Sequence, residues 1–255
     1  MKTRSIGFRL AAWYFVVFAC GVTVFSIAAW FAMRACLYHA IDESLADPGS
    51  REQALRALIE SNLHGRASIA VSYLRDPSEF VRNAALECLI SDRRRRYPLR
   101  VSRLLRDPQS IVRVTALECL VHYDARSHWR SVAELLRDSD PLVRAYAAWA
   151  LGALRAAASA RYLKRAFSKE EDVAARAGIA EALGRLGVPG DHVAVLSRLM
   201  RNRSASVRCF VANSLVGLAT KKTRPQIIAI LRDALRRERT VAGRECLRKN
   251  LRQLQ

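Results

Sequence analysis

The chain has 255 residues, of which 51% are hydrophobic, 26% charged and 7% aromatic. This composition excludes a disordered chain, a collagen-like repeat and a small disulfide-rich scaffold, and it allows one or two domains with a hydrophobic core. Its 43 Lys and Arg residues outnumber its 23 Asp and Glu residues, giving a formal net charge of +20, so anionic partners must be considered.

Residues 10–33 form a run of 24 positions without a charge. A helix needs about 20 apolar residues to cross the hydrocarbon core of a bilayer, so this run predicts a transmembrane helix. The run is longer than the apolar region of a cleaved signal peptide, and no small-x-small cleavage motif closes it. We therefore expect an uncleaved anchor that follows a short basic N-terminus at residues 1–9.

Charges on the two sides of this run differ. Lys2, Arg4 and Arg9 precede it without an acidic residue, whereas Asp42 and Glu43 follow it. The positive-inside rule then predicts a cytoplasmic N-terminus and an extracytoplasmic remainder, which in a bacterium is the periplasm. The arginine-flanked span and the following "CLYHAIDESL" resemble the first transmembrane segment of bacterial sensor histidine kinases. No later segment resembles a phosphoacceptor-histidine helix or an ATP lid, so kinase activity is not implied.

Residues 66–255 contain an internal repeat, seen in "LRDPSEFVRNAALECLI", "LRDPQSIVRVTALECLV" and "LRDSDPLVRAYAAWALG". Taking its arginine as position 0, apolar or small residues recur at −1, +3, +6 and +7, on one face of a helix. Each repeat therefore predicts a helix A, a turn and a helix B. Residues 34–65 are predicted as a juxtamembrane helical segment, with a possible degenerate copy from Ala46. The repeat arginines, spaced by 31 or 32 residues, are Arg82, Arg113, Arg144, Arg176 and Arg208.

Two helices in about 31 residues, with a turn aspartate six residues before a Val-Arg pair and then "A..AL", resemble HEAT repeats in the short form named after phycobilisome-lyase-like proteins. The resemblance implies an all-α solenoid of about six stacked antiparallel helix pairs. It also implies a ladder of turn aspartates and repeat arginines. Because Glu170 and Asn202 replace the aspartate in later copies, we expect a weaker ladder at the C-terminal end. The expected ladder residues are Asp76, Arg82, Asp107, Arg113, Asp138, Arg144, Arg176 and Arg208.

The sequence shows no catalytic or metal-binding constellation. Its five histidines form no HExxH or His-x-His motif, and no Walker loop, GxSxG or GxGxxG is present. We therefore expect no catalysis, no cofactor and no metal. Cys88 and Cys119 occupy position +6 of adjacent repeats, where stacked helices about 8–10 Å apart are too distant for a disulfide. We expect both thiols to be buried and unpaired, and Cys209 at position +1 to face outward.

Charged residues separate by repeat position. Position +5 of helix B is mostly acidic, and the family resemblance implies that B helices line the concave side. We predict a partner-binding concave face, with aromatic anchors, formed by Glu87, Glu118, Tyr146, Trp149, Glu181 and Phe210. Position −7, at the end of helix A, is basic in five copies and predicts a basic rim. The rim could bind lipid headgroups or another polyanion, and the alternative is a solvated face that binds nothing. Its residues are Arg75, Arg106, Arg137, Lys169 and Arg201.

These features favour a single-pass membrane-anchored scaffold or adaptor that binds a protein partner through its concave face. The acidic concave column and the extracytoplasmic address argue against nucleic acid as a partner. Two alternatives stay open. One is a bilin-lyase-like enzyme, which the family resemblance implies, and the other is a signalling receptor without its kinase.

Overall fold

The computed structural model describes residues 47–60, 65–92 and 97–255. Within these ranges the chain is helical and contains no strand, as expected for a solenoid of helix pairs. The predicted transmembrane helix lies outside the described residues. None of the helices in the described ranges is long and apolar enough to cross a membrane.

The helices alternate between two layers. Short 3-10 segments begin or end several of the helices of one layer, called A, for example Leu104–Arg106 and Leu135–Arg137. Successive B helices pack directly on one another along the array, while the A helices contact one another less, which is the arrangement expected for an inner B layer. The A helices are α2 (Arg66–Ala70), α4 (Pro98–Arg103), α6 (Trp129–Glu134), α8 (Ala160–Phe167), α10 (His192–Leu199) and α12 (Arg224–Arg237). The B helices are α1 (Pro48–Glu60), α3 (Glu79–Ile90), α5 (Ser110–His122), α7 (Pro141–Ala153), α9 (Val173–Arg185), α11 (Ala205–Gly217) and α13 (Val241–Gln253).

The core consists of the small and apolar residues of the repeat. Position +7 supplies fully buried leucines such as Leu89, Leu120 and Leu151, while position +6 supplies small residues such as Cys119 and Ala150. Small side chains at +6 let neighbouring helices approach, and the leucines fill the space between the layers. Each helix pair therefore depends on its neighbours for its core, which is the physical basis of a solenoid.

The turn before each B helix has the same geometry in all copies. The turn side chain accepts a hydrogen bond from the backbone N–H two residues later: Asp107 from Gln109 at 3.0 Å, for example. Glu170 and Asn202 make the same contact, at 3.0 and 2.8 Å. The replacements therefore keep the turn, since an amide or a longer carboxylate supplies an equivalent acceptor oxygen.

The repeat arginines form the expected ladder. Arg82 donates to Asp107 through Nε and Nη2, at 2.7 and 2.8 Å, and its Nη1 donates to two carbonyls of its own turn. Arg144 makes the same two contacts with Glu170, at 2.8 and 2.9 Å. Such paired, nearly parallel hydrogen bonds are among the strongest that side chains make. Arg113 donates to Asp138 through Nη2 alone, at 2.8 Å, and its buried Nε has no hydrogen-bond partner among the described residues. The ladder thus ties each turn to the next.

The ladder does not weaken uniformly towards the C-terminal end, since Glu170 still serves as an acceptor. It is interrupted at one step, where Asn202 offers no charge and Arg176 instead lies over the Phe167 ring, 4.9 Å from its centroid. It resumes beyond, where Arg208 makes two 2.7 Å hydrogen bonds to Glu238. Glu238 stands six residues before Arg244, whose backbone N–H donates to Thr240 as Arg82 donates to Ser78. The sequence pattern missed this acceptor because the last copy has diverged too far for its turn to be aligned with the others.

The helix α1 occupies the place of a B helix one step before the first full repeat. It packs on α3, and Arg51, 31 residues before Arg82, contacts Asp76 at 3.0 Å. Its own Leu55 and Leu58 are buried. Within the described residues, Pro48 is therefore the first residue of the array of B helices.

Candidate partner-binding surfaces

Three aromatic residues meet on the outward side of the B layer, here called the B face. The ring centroid of Tyr146 lies 6.0 Å from that of Trp149 and 6.1 Å from that of Phe210, and all three side chains are half-buried. These distances are in the range of favourable aromatic pairs. The structure thus brings together the three predicted aromatic anchors, which we call the aromatic cluster.

Gly178 allows the rings of Tyr146 and Phe210 to come into contact. Tyr146 and Phe210 occupy position +2 in repeats two steps apart, and the intervening +2 residue is Gly178. A Cβ atom at Gly178 would lie only 2.6 Å from the carbonyl oxygen of Ala145, so α7 and α9 pack with their backbones close together. With no side chain between them, the two rings can touch.

The carboxylates of the +5 column have different partners. Glu87 accepts a 2.9 Å hydrogen bond from Asn83 Nδ2 and lies 3.6 Å from Arg56 Nη1. Glu118, one repeat further on, has no ion pair within the described part of the chain. Burial and the nearby negative charge of Glu87 raise the pKa of Glu118, and burial followed by the charge of Glu118 raises the pKa of Tyr146. Glu118 is therefore a half-buried acceptor with unused capacity beside the aromatic cluster.

Glu181 does not belong to the exposed surface, contrary to the expectation from its position. Its residue is 3% exposed, and its Oε1 lies 2.9 Å from Arg185 Nε. A Cβ atom on Gly217 would clash with the Glu181 carboxylate, so α11 covers it. Burial raises the pKa of Glu181 to about 7, although Arg185 and a hydrogen bond with Ser214 act in the opposite direction.

Replacing Glu181 with Gln should remove a pH-dependent loss of stability. The folded state holds a proton on Glu181 up to about pH 7, while the unfolded carboxyl loses it near its ordinary pKa of 4.5. The wild type is therefore destabilised as the pH rises from 4.5 to 7, and E181Q is not. The free energy of unfolding of E181Q minus that of the wild type should grow across this window by up to about 3 kcal/mol, measured by urea denaturation at several pH values.

The exposed residue Glu171 provides the matched control. For E171Q the difference from the wild type should stay nearly constant with pH, since the Glu171 side chain is exposed to solvent and not enclosed by the fold. An E181Q difference that does not change between pH 4.5 and 7 would contradict the burial of a carboxylate with a raised pKa.

The predicted basic rim is exposed along its whole length: Arg75, Arg106, Arg137, Lys169 and Arg201 all have exposed side chains. Arg106 forms one ion pair, with Glu134 at 3.3 Å, in which both side chains remain largely exposed. Such pairs add little to stability and leave the charge accessible. The rim lies at the edge of the solenoid where each helix A turns into helix B, which we call the A–B edge.

One surface feature escaped the sequence analysis. Phe80, Ile111 and Leu142 occupy position −2 of three successive repeats and are 61%, 50% and 42% exposed. They stand in the first turn of α3, α5 and α7, also on the A–B edge. The signal was available as an apolar residue two places before each of the first three repeat arginines, but an apolar residue at a helix start is more often assigned to the core.

The cysteines follow the expectation in part. Cys88 and Cys119 are buried and free, as predicted. Cys209, expected to face outward, is half-buried and within hydrogen-bonding reach of Cys246 on α13. No group of His, Cys, Asp and Glu side chains in the described ranges could hold a metal ion.

Comparison with known proteins supports the repeat fold. Residues 97–183 match the family model of HEAT repeats. The fold is similar to a chain in the structure of the complex of CpcE and CpcF of phycocyanin lyase from Nostoc sp. PCC7120, with a TM-score of 0.62 and 14% identity over 85% of this chain and 93% of that one. The HEAT-like α-solenoid predicted from the sequence is thereby confirmed.

The remaining structural similarities are too weak to bear on the fold or the function. Two engineered proteins match with TM-scores of 0.38 and 0.39 at 15% and 16% identity, covering 74% and 82% of this chain and 96% and 66% of theirs. No curated protein matches the sequence significantly.

Proposed function

We propose that this HEAT-like solenoid is a membrane-anchored scaffold or adaptor without catalytic activity, which binds a protein partner through its B face. The aromatic cluster carries this proposal, because half-buried aromatic residues grouped on a surface contribute most to binding energy at protein interfaces. The Glu118 carboxylate beside the cluster forms no ion pair in the part of the chain that the structure describes, and it adds a polar contact for a donor or cation of the partner. The rest of the chain is strongly basic, so this acidic and aromatic area is chemically distinct.

Replacing Trp149 with Ala should weaken partner binding at least about tenfold and cost less stability than a core substitution. The half-buried Trp149 packs on the core with only part of its side chain. A photo-crosslinking amino acid at position 146 of the full chain, activated in native membranes, should form one defined protein adduct, and W149A should reduce its yield. Thermal unfolding measures the stability.

A crosslinker at the exposed position 134, on helix A, serves as the control. The same adduct from both positions, or no adduct at position 146, would contradict binding at the B face. If W149A unfolds as readily as a variant of a buried leucine, Trp149 is a core residue and not a binding anchor.

The proposed membrane anchor is the uncharged run at residues 10–33. In this proposal the N-terminus lies in the cytoplasm and the solenoid lies on the other side of the membrane. The basic residues before the run and the acidic residues after it support this orientation. A reporter fused to the C-terminus should be active in the periplasm and inactive in the cytoplasm, and the opposite pattern would reverse the orientation. Recovery of the full chain in the soluble fraction after ultracentrifugation would contradict the anchor.

A second candidate is a bilin-lyase-like enzyme, favoured by the fold similarity to the phycocyanin lyase complex. Incubation of the full chain with a free bilin, followed by absorption spectroscopy, tests it: a red-shifted spectrum that W149A abolishes would favour this candidate over the scaffold. A signalling receptor without its kinase is the third candidate, and a histidine kinase as the protein crosslinked at position 146 would favour it.

A further inference from the structure

The A–B edge of the first three repeats combines two kinds of exposed side chain. Phe80, Ile111 and Leu142 project from the first turns of α3, α5 and α7. An exposed arginine ends the 3-10 segment that follows the preceding helix A in each case, at Arg75, Arg106 and Arg137. Single exposed apolar residues are ordinary on protein surfaces. Here, however, exposed apolar residues occupy the same position in three consecutive repeats and therefore form a line along the edge.

The spacing of this line distinguishes its possible partners. Stacked helices lie about 8–10 Å apart, so the apolar side chains stand separately with guanidinium groups near them. The buried centre of a protein interface is depleted of charges, which does not fit this mixture. A lipid surface fits it, because apolar side chains enter the headgroup boundary while arginines bind phosphate oxygens.

We propose that the A–B edge of the first three repeats lies on an anionic lipid surface, with Phe80, Ile111 and Leu142 inserted and the neighbouring arginines bound to lipid phosphates. The apolar residue is lost further along, where Ala174 and Ser206 occupy position −2. Before Arg51 the same place is taken by Gly49, so within the described residues the line is confined to the repeats of α3, α5 and α7.

Acidic side chains at this edge do not oppose the interaction strongly. The Asp140 carboxylate accepts a 2.8 Å hydrogen bond from the backbone N–H of Leu142, and Glu79 stands in the first turn of α3, where a negative charge compensates the helix dipole. Three arginines near an anionic surface each contribute to binding. A membrane anchor, as in the proposed function, would raise the effective concentration of the edge at the bilayer, but the surface chemistry does not require it.

An environment-sensitive fluorescent amino acid at position 111 of the full chain tests the proposal. The protein is reconstituted into vesicles of phosphatidylcholine alone or with three parts in ten of phosphatidylglycerol. Leu99, which is 64% exposed and lies in the first turn of α4 at the opposite edge, supplies the matched control position. We expect a blue shift of about 10 nm or more at position 111 in the anionic vesicles, quenching by brominated lipids, and neither effect at position 99.

The triple variant R75Q/R106Q/R137Q should lower the docked fraction at least about tenfold, since each basic residue near an anionic surface strengthens binding. High salt should act in the same direction.

Each other outcome overturns the proposal. An unchanged spectrum at position 111 while the chain floats with the vesicles would reject the lipid contact and leave the anchor intact. An unchanged spectrum in a chain that does not float would reject both. An equal shift in neutral vesicles would reject the role of the arginines, and a photo-crosslinker at position 111 that captures a protein and no lipid would make this edge a protein interface.

Discussion

Replacing Leu151 with Ala should lower the free energy of unfolding by about 2–5 kcal/mol. Leu151 is fully buried at position +7 of α7, between the A and B layers. Alanine leaves a cavity there that the closely packed α7 and α9 cannot close, since their backbones already touch at Gly178. Urea denaturation of the full chain in a nonionic detergent, followed by far-UV circular dichroism, measures the cost.

Leu142, in the same helix, offers the control. It is 42% exposed, and L142A should change the free energy of unfolding by less than about 0.5 kcal/mol in detergent solution. A cost below about 1 kcal/mol for L151A would mean that position +7 does not face the core.

Replacing Asp107 with Ala should cost about 3–5 kcal/mol, because it leaves a buried guanidinium without its counter-charge. The side chains of Arg82 and Asp107 are 10% and 3% exposed. Asp107 also accepts the turn hydrogen bond from the Gln109 N–H, at 3.0 Å, so the variant loosens the start of α5 as well. Equilibrium unfolding of D107A, R82A and the double variant gives the coupling between the two residues.

The exposed pair Arg106–Glu134 is a control from the same part of the chain, with side chains 83% and 63% exposed. Because solvent screens such a pair, E134A should cost less than about 1 kcal/mol. Equal costs for D107A and E134A would show that the ladder adds nothing beyond surface electrostatics.

The chemistry of the candidate site was visible in the sequence only in part. Position +2 identified Tyr146 and Phe210 as outward residues, but their contact across a missing side chain depends on how closely α7 approaches α9. Glu181 was assigned to the same surface as Glu118 because both stand at position +5. The covering helix α11, which approaches at Gly217, separates them into a buried carboxylate and a half-exposed one.

The sequence by itself determined the helix pairs, their period and the face of helix B that forms the core, because these follow from local spacing of apolar residues, turn chemistry and helical geometry. Only the tertiary structure decided where the ladder is interrupted, that Glu238 continues it, and which surface residues are accessible. Those properties depend on distances between residues about 25–32 positions apart, which stacking sets and a local pattern does not contain.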